Sequence, residues 1–181
     1  MTTSASSTLR RTALATLLAS FAVSAAAAPG DVVISQLYSH SNNSGGQWSH
    51  DFVELFNRSS APVSLNGMSL QYQAATSSGW NNLTVLPDVT LQPGQYFLMV
   101  GRSGNGSNQV GEGDLSSASF DMAGGGGKVA LATIRTLLNT ADGAGNLADL
   151  VGFGNANRYE GAAAPAPSGS ASASQPWCWS R

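Results

Sequence analysis

Cysteine and charged residues are scarce in this sequence. Only Cys178 is a cysteine among 181 residues, which excludes an internal disulfide. Charged residues make up 10% of the chain and the formal net charge is −2, so the sequence lacks the basic surface that nucleic-acid phosphates attract. No long stretch repeats apolar residues at helical spacing. We therefore expect no disulfide scaffold, no direct nucleic-acid binding and no helical core.

Residues 1–28 have the pattern of a secretory signal peptide. Two arginines precede an apolar run at residues 12–23, and small residues follow. The run is shorter than the roughly 20 residues that span a bilayer, so we expect cleavage near Ala25 to Ala28 and no membrane anchor in the mature chain. Without the two arginines the mature chain carries 6 basic and 10 acidic residues, a net charge of −4. This pattern predicts a secreted protein, periplasmic or extracellular.

Short β-rich runs recur after this segment, separated by clusters of Gly, Asn, Ser and Pro. They cover residues 32–38, 51–57, 63–65, 68–73, 82–86, 95–100, 128–131 and 149–153. Such spacing predicts one all-β sandwich or barrel domain at residues 29–161. The Ala-, Pro- and Ser-rich segment at 162–181 is predicted to be a disordered tail, since it has little apolar surface to bury.

The run at 51–57 is apolar at its centre except for Glu54. Val53 and Leu55 share one face and Phe52 and Glu54 the other, which is typical of a central sandwich strand. A buried carboxylate needs hydrogen bonds or a partner charge. We expect Glu54 to have a structural role, accepting backbone N–H bonds from a neighbouring loop, so that Glu54→Gln lowers stability and leaves binding unchanged.

Two dipeptides predict turns of structural importance. Asn66-Gly67 lies between two β-rich runs, where both residues tolerate a positive φ. Pro93-Gly94 precedes the most apolar run. The run at 68–73 alternates apolar with polar residues and is expected to have one buried and one solvated face.

No group of residues predicts catalysis, a metal site or a cofactor. His40, His50, Asp51 and Glu54 would suit a small metal-dependent hydrolase if they converged in one pocket, but their spacing is irregular and a solvated loop is favoured. The glycines at 124–127 before Lys128 do not complete a phosphate-binding loop, because Val129 stands where Ser or Thr is needed. We expect a non-enzymatic chain.

Two tryptophans are candidates for an interaction surface. Trp48 and Trp80 lie in or beside polar loops, where large aromatic side chains are often exposed for binding. The alternative is that they fold back and cover the ends of the sandwich.

The order of these motifs resembles the lamin tail domain family in its bacterial secreted form. The most specific match is Asp51-Phe52-Val53-Glu54-Leu55-Phe56-Asn57-Arg58 followed by the segment at 61–72, and the likeness extends over residues 31–161. The resemblance implies an immunoglobulin-like β-sandwich with a non-catalytic role as an interaction module. We expect a monomer that binds an unknown protein or cell-surface partner. The alternative is an accessory domain of an extracellular nuclease or phosphatase whose catalytic part is absent from this chain.

Overall fold

A computed structural model describes residues 28–139 and 145–164, with two further short strands, Ala25–Ala26 and Trp177–Cys178. The described residues form strands and loops without an α-helix. They contain no helix long and apolar enough to cross a membrane. Most of the predicted signal peptide and of the predicted tail lies outside the described residues, so these two predictions stay predictions there.

Twelve strands occur among the described residues. They are β1 (Ala25–Ala26), β2 (Val32–Tyr38), β3 (His50–Asn57), β4 (Val63–Ser64), β5 (Ser69–Ala74), β6 (Asn82–Val85), β7 (Thr90–Leu91), β8 (Tyr96–Ser103), β9 (Leu115–Ser116), β10 (Gly126–Ala132), β11 (Leu147–Gly154) and β12 (Trp177–Cys178). All eight predicted β-rich runs contain a strand. The strands without a predicted counterpart, β1, β7, β9 and β12, are two residues long.

The strands form three sheets whose larger two enclose the core. The five-stranded sheet has the order β12-β2-β3-β8-β9, the four-stranded sheet β11-β10-β5-β6, and the small sheet β1-β4-β7. Apolar side chains of the two larger sheets meet in one buried cluster, which includes Leu55, Phe97, Leu70, Leu131 and Phe153. Burial of this cluster is the main stabilising contribution to the domain. The predicted all-β sandwich is confirmed.

Strand β3 lies at the centre of the five-stranded sheet, between β2 and β8. Val53 and Leu55 are fully buried and face the core. Glu54 and Phe56 are half-buried on the opposite face. The alternation predicted from the sequence is therefore confirmed, and it places one carboxylate and its aromatic neighbours on the outside of the sandwich.

The prediction of a solvated face on the run at 68–73 is wrong. Ser69, Gln71 and Gln73 are buried, as are the apolar residues between them. The loop after β10 covers this outer face: Gln71 Nε2 donates to the Thr136 carbonyl at 2.9 Å, and Gln71 Oε1 accepts the Leu138 N–H at 2.9 Å. Ser69 and Gln71 replace water by hydrogen-bonding the backbone of the covering loop, whereas the buried amide of Gln73 has no hydrogen-bond partner among the described residues.

Both predicted turns form, and each leads from the small sheet into a larger one. The Met68 N–H donates to the Leu65 carbonyl at 3.1 Å, with Gly67 at φ +86° between β4 and β5. The Gln95 N–H donates to the Gln92 carbonyl at 3.0 Å, with Gly94 at φ +77° between β7 and β8. Glycine occupies the left-handed position in both turns at little steric cost.

The chain keeps contact with the sandwich just beyond the predicted domain boundary at residue 161. Ala164 is buried, its N–H donates to the Gly152 carbonyl at 2.8 Å, and its carbonyl accepts the Gly154 N–H at 2.8 Å. This segment satisfies backbone groups on the free edge of β11, which explains why it stays with the sandwich. Further along the predicted tail, β12 pairs with β2.

Candidate functional site

The outer face of β2, β3 and β8 carries side chains that the core does not use. The strands place Gln36 opposite Glu54, and Glu54 opposite Leu98. Side chains two residues apart on a strand share a face. Phe52, Glu54 and Phe56 therefore form a stripe along β3, which we call the β3 stripe.

A groove of about 280 Å³ lies over the middle of the β3 stripe. Its described lining residues are Gln36, Trp48, Phe52, Glu54, Leu98, Gln109, Val110 and Gly111. The sheet supplies the floor, and two loops supply the walls, one before β3 and one after β8. The mixture is apolar and aromatic, with two amides and one carboxylate. We refer to it as the Trp48 groove.

The loop that carries Trp48 is fixed on both sides. The Gln47 N–H donates to the Tyr38 hydroxyl at 2.8 Å, and the Asn108 N–H donates to the Gln47 carbonyl at 2.8 Å. The Trp48 ring meets the Phe52 ring edge-on, with centroids 6.3 Å apart and an interplanar angle of 90°. Trp48 itself remains half-buried. The groove is thus formed before any ligand arrives, which reduces the ordering cost of binding.

Glu54 is half-buried in this groove, and its hydrogen-bond partner differs from the one predicted. The Ser35 hydroxyl donates to Glu54 Oε1 at 2.7 Å. No backbone N–H from a neighbouring loop reaches the carboxylate among the described residues. The carboxylate therefore faces the groove and lies on the surface of the sandwich, because the outer face of β3 is only partly covered.

Asp51 has the structural role that the sequence analysis assigns to Glu54. Its side chain is 2% exposed; Oδ1 accepts the Ser41 N–H at 3.2 Å and Oδ2 accepts the Met122 N–H at 3.0 Å. Burial raises the pKa of the Asp51 carboxyl, and the hydrogen bonds from Met122 and Ser41 oppose that rise. This one carboxylate holds two loops together at the end of the sandwich.

Two other buried polar residues that the sequence analysis missed hold the chain in the same way. Asp149 Oδ2 accepts the Ile34 N–H at 2.8 Å, which links β11 to β2. Asn57 Nδ2 donates to the carbonyls of Ala61 and Leu91, at 2.9 Å each. Two of the three partners, Ile34 and Leu91, are distant in sequence, so the local signal for these contacts is only a polar residue within or at the end of an apolar run.

The structure separates the two tryptophans that were predicted together as an interaction surface. Trp80 is 5% exposed and belongs to a second buried cluster on the outer side of the four-stranded sheet, with Ala130, Ala132, Leu138 and Leu150. For Trp80 the structure shows the alternative given above: the ring folds back against the sandwich and is not an exposed contact residue. Its ring fills the space under the covering loop, because the alanines on β10 leave room for it.

The four residues considered for a metal-dependent hydrolase do not converge. His40 Nε2 lies 3.4 Å from the Ser44 carbonyl, and His50 Nδ1 lies 2.9 Å from the Ser49 hydroxyl. The two carboxylates of the set have the separate partners given above. Within residues 28–139 and 145–164, no three His, Cys, Asp or Glu side chains could hold a metal ion together.

Of the four glycines at 124–127, the first two precede strand β10 and the last two are its first residues. Lys128 is 1% exposed, and its ammonium donates to the Ser77 carbonyl at 2.9 Å and to Asn157 Oδ1 at 2.7 Å. Burial, and then the charge of Arg158, lower the pKa of Lys128. This lysine holds two loops against the four-stranded sheet and is not available to a ligand phosphate.

Negative charge predominates beside the Trp48 groove. Glu54 lies in the floor, and none of the described lining residues is basic. Just after Gly111 the chain carries Glu112 and Asp114, both exposed, and Asp114 Oδ2 accepts the Leu98 N–H at 2.8 Å. The electrostatic potential of this surface therefore favours a positively charged ligand group.

Comparison with known proteins agrees with the architecture. Residues 25–155 match the family model described as Lamin Tail Domain. That family consists of non-enzymatic immunoglobulin-like domains. No curated protein matches the chain significantly.

Proposed function

Because the chain belongs to the lamin tail domain family, we propose that it is a secreted, non-catalytic module that binds a protein or cell-surface partner. The Trp48 groove is the contact surface in this proposal. The pattern of residues 1–28 supports export to the periplasm or the medium, as in the bacterial secreted form of the family. The family's non-enzymatic character supports a role in binding.

The observation that carries this proposal is the contrast between the two outer faces of the sandwich. The centre of the outer face of the four-stranded sheet is covered by a loop of the chain, down to a fully buried Gln71, while a groove of about 620 Å³ remains at its β11 edge, beside Leu150 and Tyr159. The outer face of the five-stranded sheet leaves Trp48, Glu54 and Phe56 only half-buried, and Tyr96 is 57% exposed. Aromatic side chains held rigidly beside a groove are typical of binding hot spots.

Replacing Trp48 with alanine is expected to abolish partner capture while the fold is retained. The immobilised chain is incubated with the culture medium and surface extract of the source organism, and retained proteins are compared with those held by Trp48→Ala. The matched control is Tyr159→Ala, because Tyr159 is also an exposed aromatic residue, at 47%, but lies outside the groove. We expect Tyr159→Ala to retain the partner.

Equal retention by the wild-type chain and Trp48→Ala would contradict the proposal, as would equal loss in both variants. Circular dichroism and thermal unfolding of each variant show whether the sandwich is intact. A partner that survives these comparisons is then titrated against the purified chain to measure its affinity.

A further inference from the structure

We infer that the Trp48 groove binds a basic side chain of an extended peptide segment, with the cationic group at Glu54 and the alkyl stem against Trp48 and Leu98. This inference rests on the proposed function, because it specifies what the partner places in the groove. Flanking apolar side chains of the same segment lie over the two ends of the β3 stripe. The recognised pattern is apolar, any, basic, any, apolar.

The charge of the groove selects a cation. Among the described residues, the Ser35 hydroxyl is the only side-chain donor to the Glu54 carboxylate, and it binds Oε1. A carboxylate accepts up to about four hydrogen bonds, so the remaining positions are open to an incoming donor. Glu112 and Asp114 add negative charge beside the groove. A guanidinium or ammonium group would satisfy Glu54 with charge-assisted hydrogen bonds.

The walls of the groove suit the apolar part of such a side chain. Lysine and arginine bury their methylene stems along apolar surface while the charged group stays near water. Trp48 and Leu98 provide that surface in the lining of the same groove as Glu54. An aromatic ring also attracts a cation that approaches its face. At about 280 Å³ the groove has room for one long side chain.

The spacing along the β3 stripe suits an extended chain. Phe52, Glu54 and Phe56 follow one another at about 6.6 Å, the distance between alternate residues of a strand. An extended peptide presents its own alternate side chains at the same interval. At the far end, the ring centroids of the half-buried Phe56 and the exposed Tyr96 lie 4.6 Å apart, and the two rings form a partly exposed aromatic platform. A central basic residue therefore matches Glu54, and an apolar neighbour two positions away matches Phe56. The apolar neighbour on the other side meets the Trp48 ring, which packs against the buried Phe52.

A peptide titration tests this inference. The probe is the blocked pentapeptide Leu-Thr-Arg-Thr-Leu, and the matched probes have Gln or Glu in place of Arg. Binding to the full chain is measured by calorimetry or by chemical-shift titration at low salt. We expect the Arg peptide to bind about five- to tenfold more tightly than the Gln peptide, as charge-assisted hydrogen bonds allow, and the Glu peptide to bind most weakly.

Variants of the chain identify the source of that preference. Glu54→Gln should bind the Arg and Gln peptides about equally, whereas Trp48→Ala should weaken both. Asp88→Asn is the matched control, because Asp88 is exposed in the connection between β6 and β7 and its replacement changes the net charge by the same amount. Asp88→Asn should keep the wild-type preference. Unfolding midpoints close to the wild-type value confirm that each variant is folded.

Equal affinity for the Arg and Gln peptides, a preference that survives Glu54→Gln, or no binding of the Arg peptide at millimolar concentration would each overturn the inference. Tighter binding of a neutral oligosaccharide such as cellotriose in a Trp48-dependent manner would also overturn it. Failure here remains distinguishable from failure of the proposed function. If the captured partner still requires Trp48 while the Arg peptide shows no preference, the contact surface is retained and only the basic occupant is rejected.

Discussion

Replacing Asp51 with alanine is expected to lower the free energy of unfolding by about 2 to 6 kcal/mol, because each unsatisfied buried donor costs about 1 to 3 kcal/mol. The substitution leaves the N–H groups of Ser41 and Met122 without their acceptor. Glu54→Gln should cost less than about 1 kcal/mol, since the residue is half-buried and the glutamine carbonyl can still accept from Ser35. Urea denaturation of the three proteins measures the difference.

The pH dependence of stability adds a second readout for Asp51. Because its pKa is raised in the folded state, its protonated form is favoured there, and the stability it contributes is fully present below the ordinary value of 3.8. That contribution falls as the pH rises through the raised pKa. Asp51→Asn does not titrate, so its stability relative to wild type should increase across the same window. A constant difference between the two proteins from pH 3 to pH 7 would contradict this assignment.

Trp80→Ala is expected to cost about 3 to 5 kcal/mol, the range for removing a large aromatic side chain from a core. Trp80 fills the second buried cluster, whose floor consists of Ala130 and Ala132, so neighbouring side chains cannot close the cavity. Trp48→Ala should cost no more than about 1 kcal/mol, because Trp48 is half-buried on the surface. Urea denaturation measures the free energy of unfolding of both variants. Equal m-values show that a shift in the midpoint reflects a change in stability.

The pair of tryptophan variants serves as its own control. Similarly large losses of stability in both variants would mean that Trp48 belongs to the core and cannot act as a contact residue. Similarly small losses would mean that the covering loop over the four-stranded sheet contributes little.

The sequence pattern within single strands and turns predicts the β-sandwich, but it does not predict which of its outer faces are buried. The alternation of Val53 and Leu55 with Glu54 can be recognised within residues 51–57. The turn at Pro93-Gly94 can be recognised from that dipeptide. These features depend on side-chain periodicity and on backbone preferences, both of which act within a few residues. The central position of β3 follows from them directly.

The outer faces depend on contacts between segments far apart in the chain. The run at 68–73 has the alternation of a half-solvated strand, yet Gln71 is buried by residues 65 and 67 positions later. Trp48 and Trp80 both lie beside polar loops, and only the residues that pack against them distinguish an exposed ring from a buried one. Periodicity carries no information on which loop returns to cover a face.

The exchanged roles of Asp51 and Glu54 have the same physical origin. Glu54 stands out because apolar residues surround it in sequence, but its face of the sheet is partly open. Asp51 looks like a loop residue at a strand boundary, and its donors come from residues 10 and 71 positions away. Burial of a carboxylate is decided by where its donors lie in the fold, which the flanking residues do not specify.

The four tryptophan indole N–H signals provide the most direct test of the central claim, that the partner occupies the Trp48 groove. The spectrum of the isotope-labelled chain is recorded with and without the captured partner, and Trp48→Phe and Trp80→Phe assign the two relevant signals. The signal of Trp48 should shift or broaden with the partner, together with the backbone amides of Glu54 and residues 109–111, while the buried Trp80 signal stays in place. An unchanged Trp48 signal, with shifts concentrated at residues 147–160 on the opposite sheet, would contradict the account.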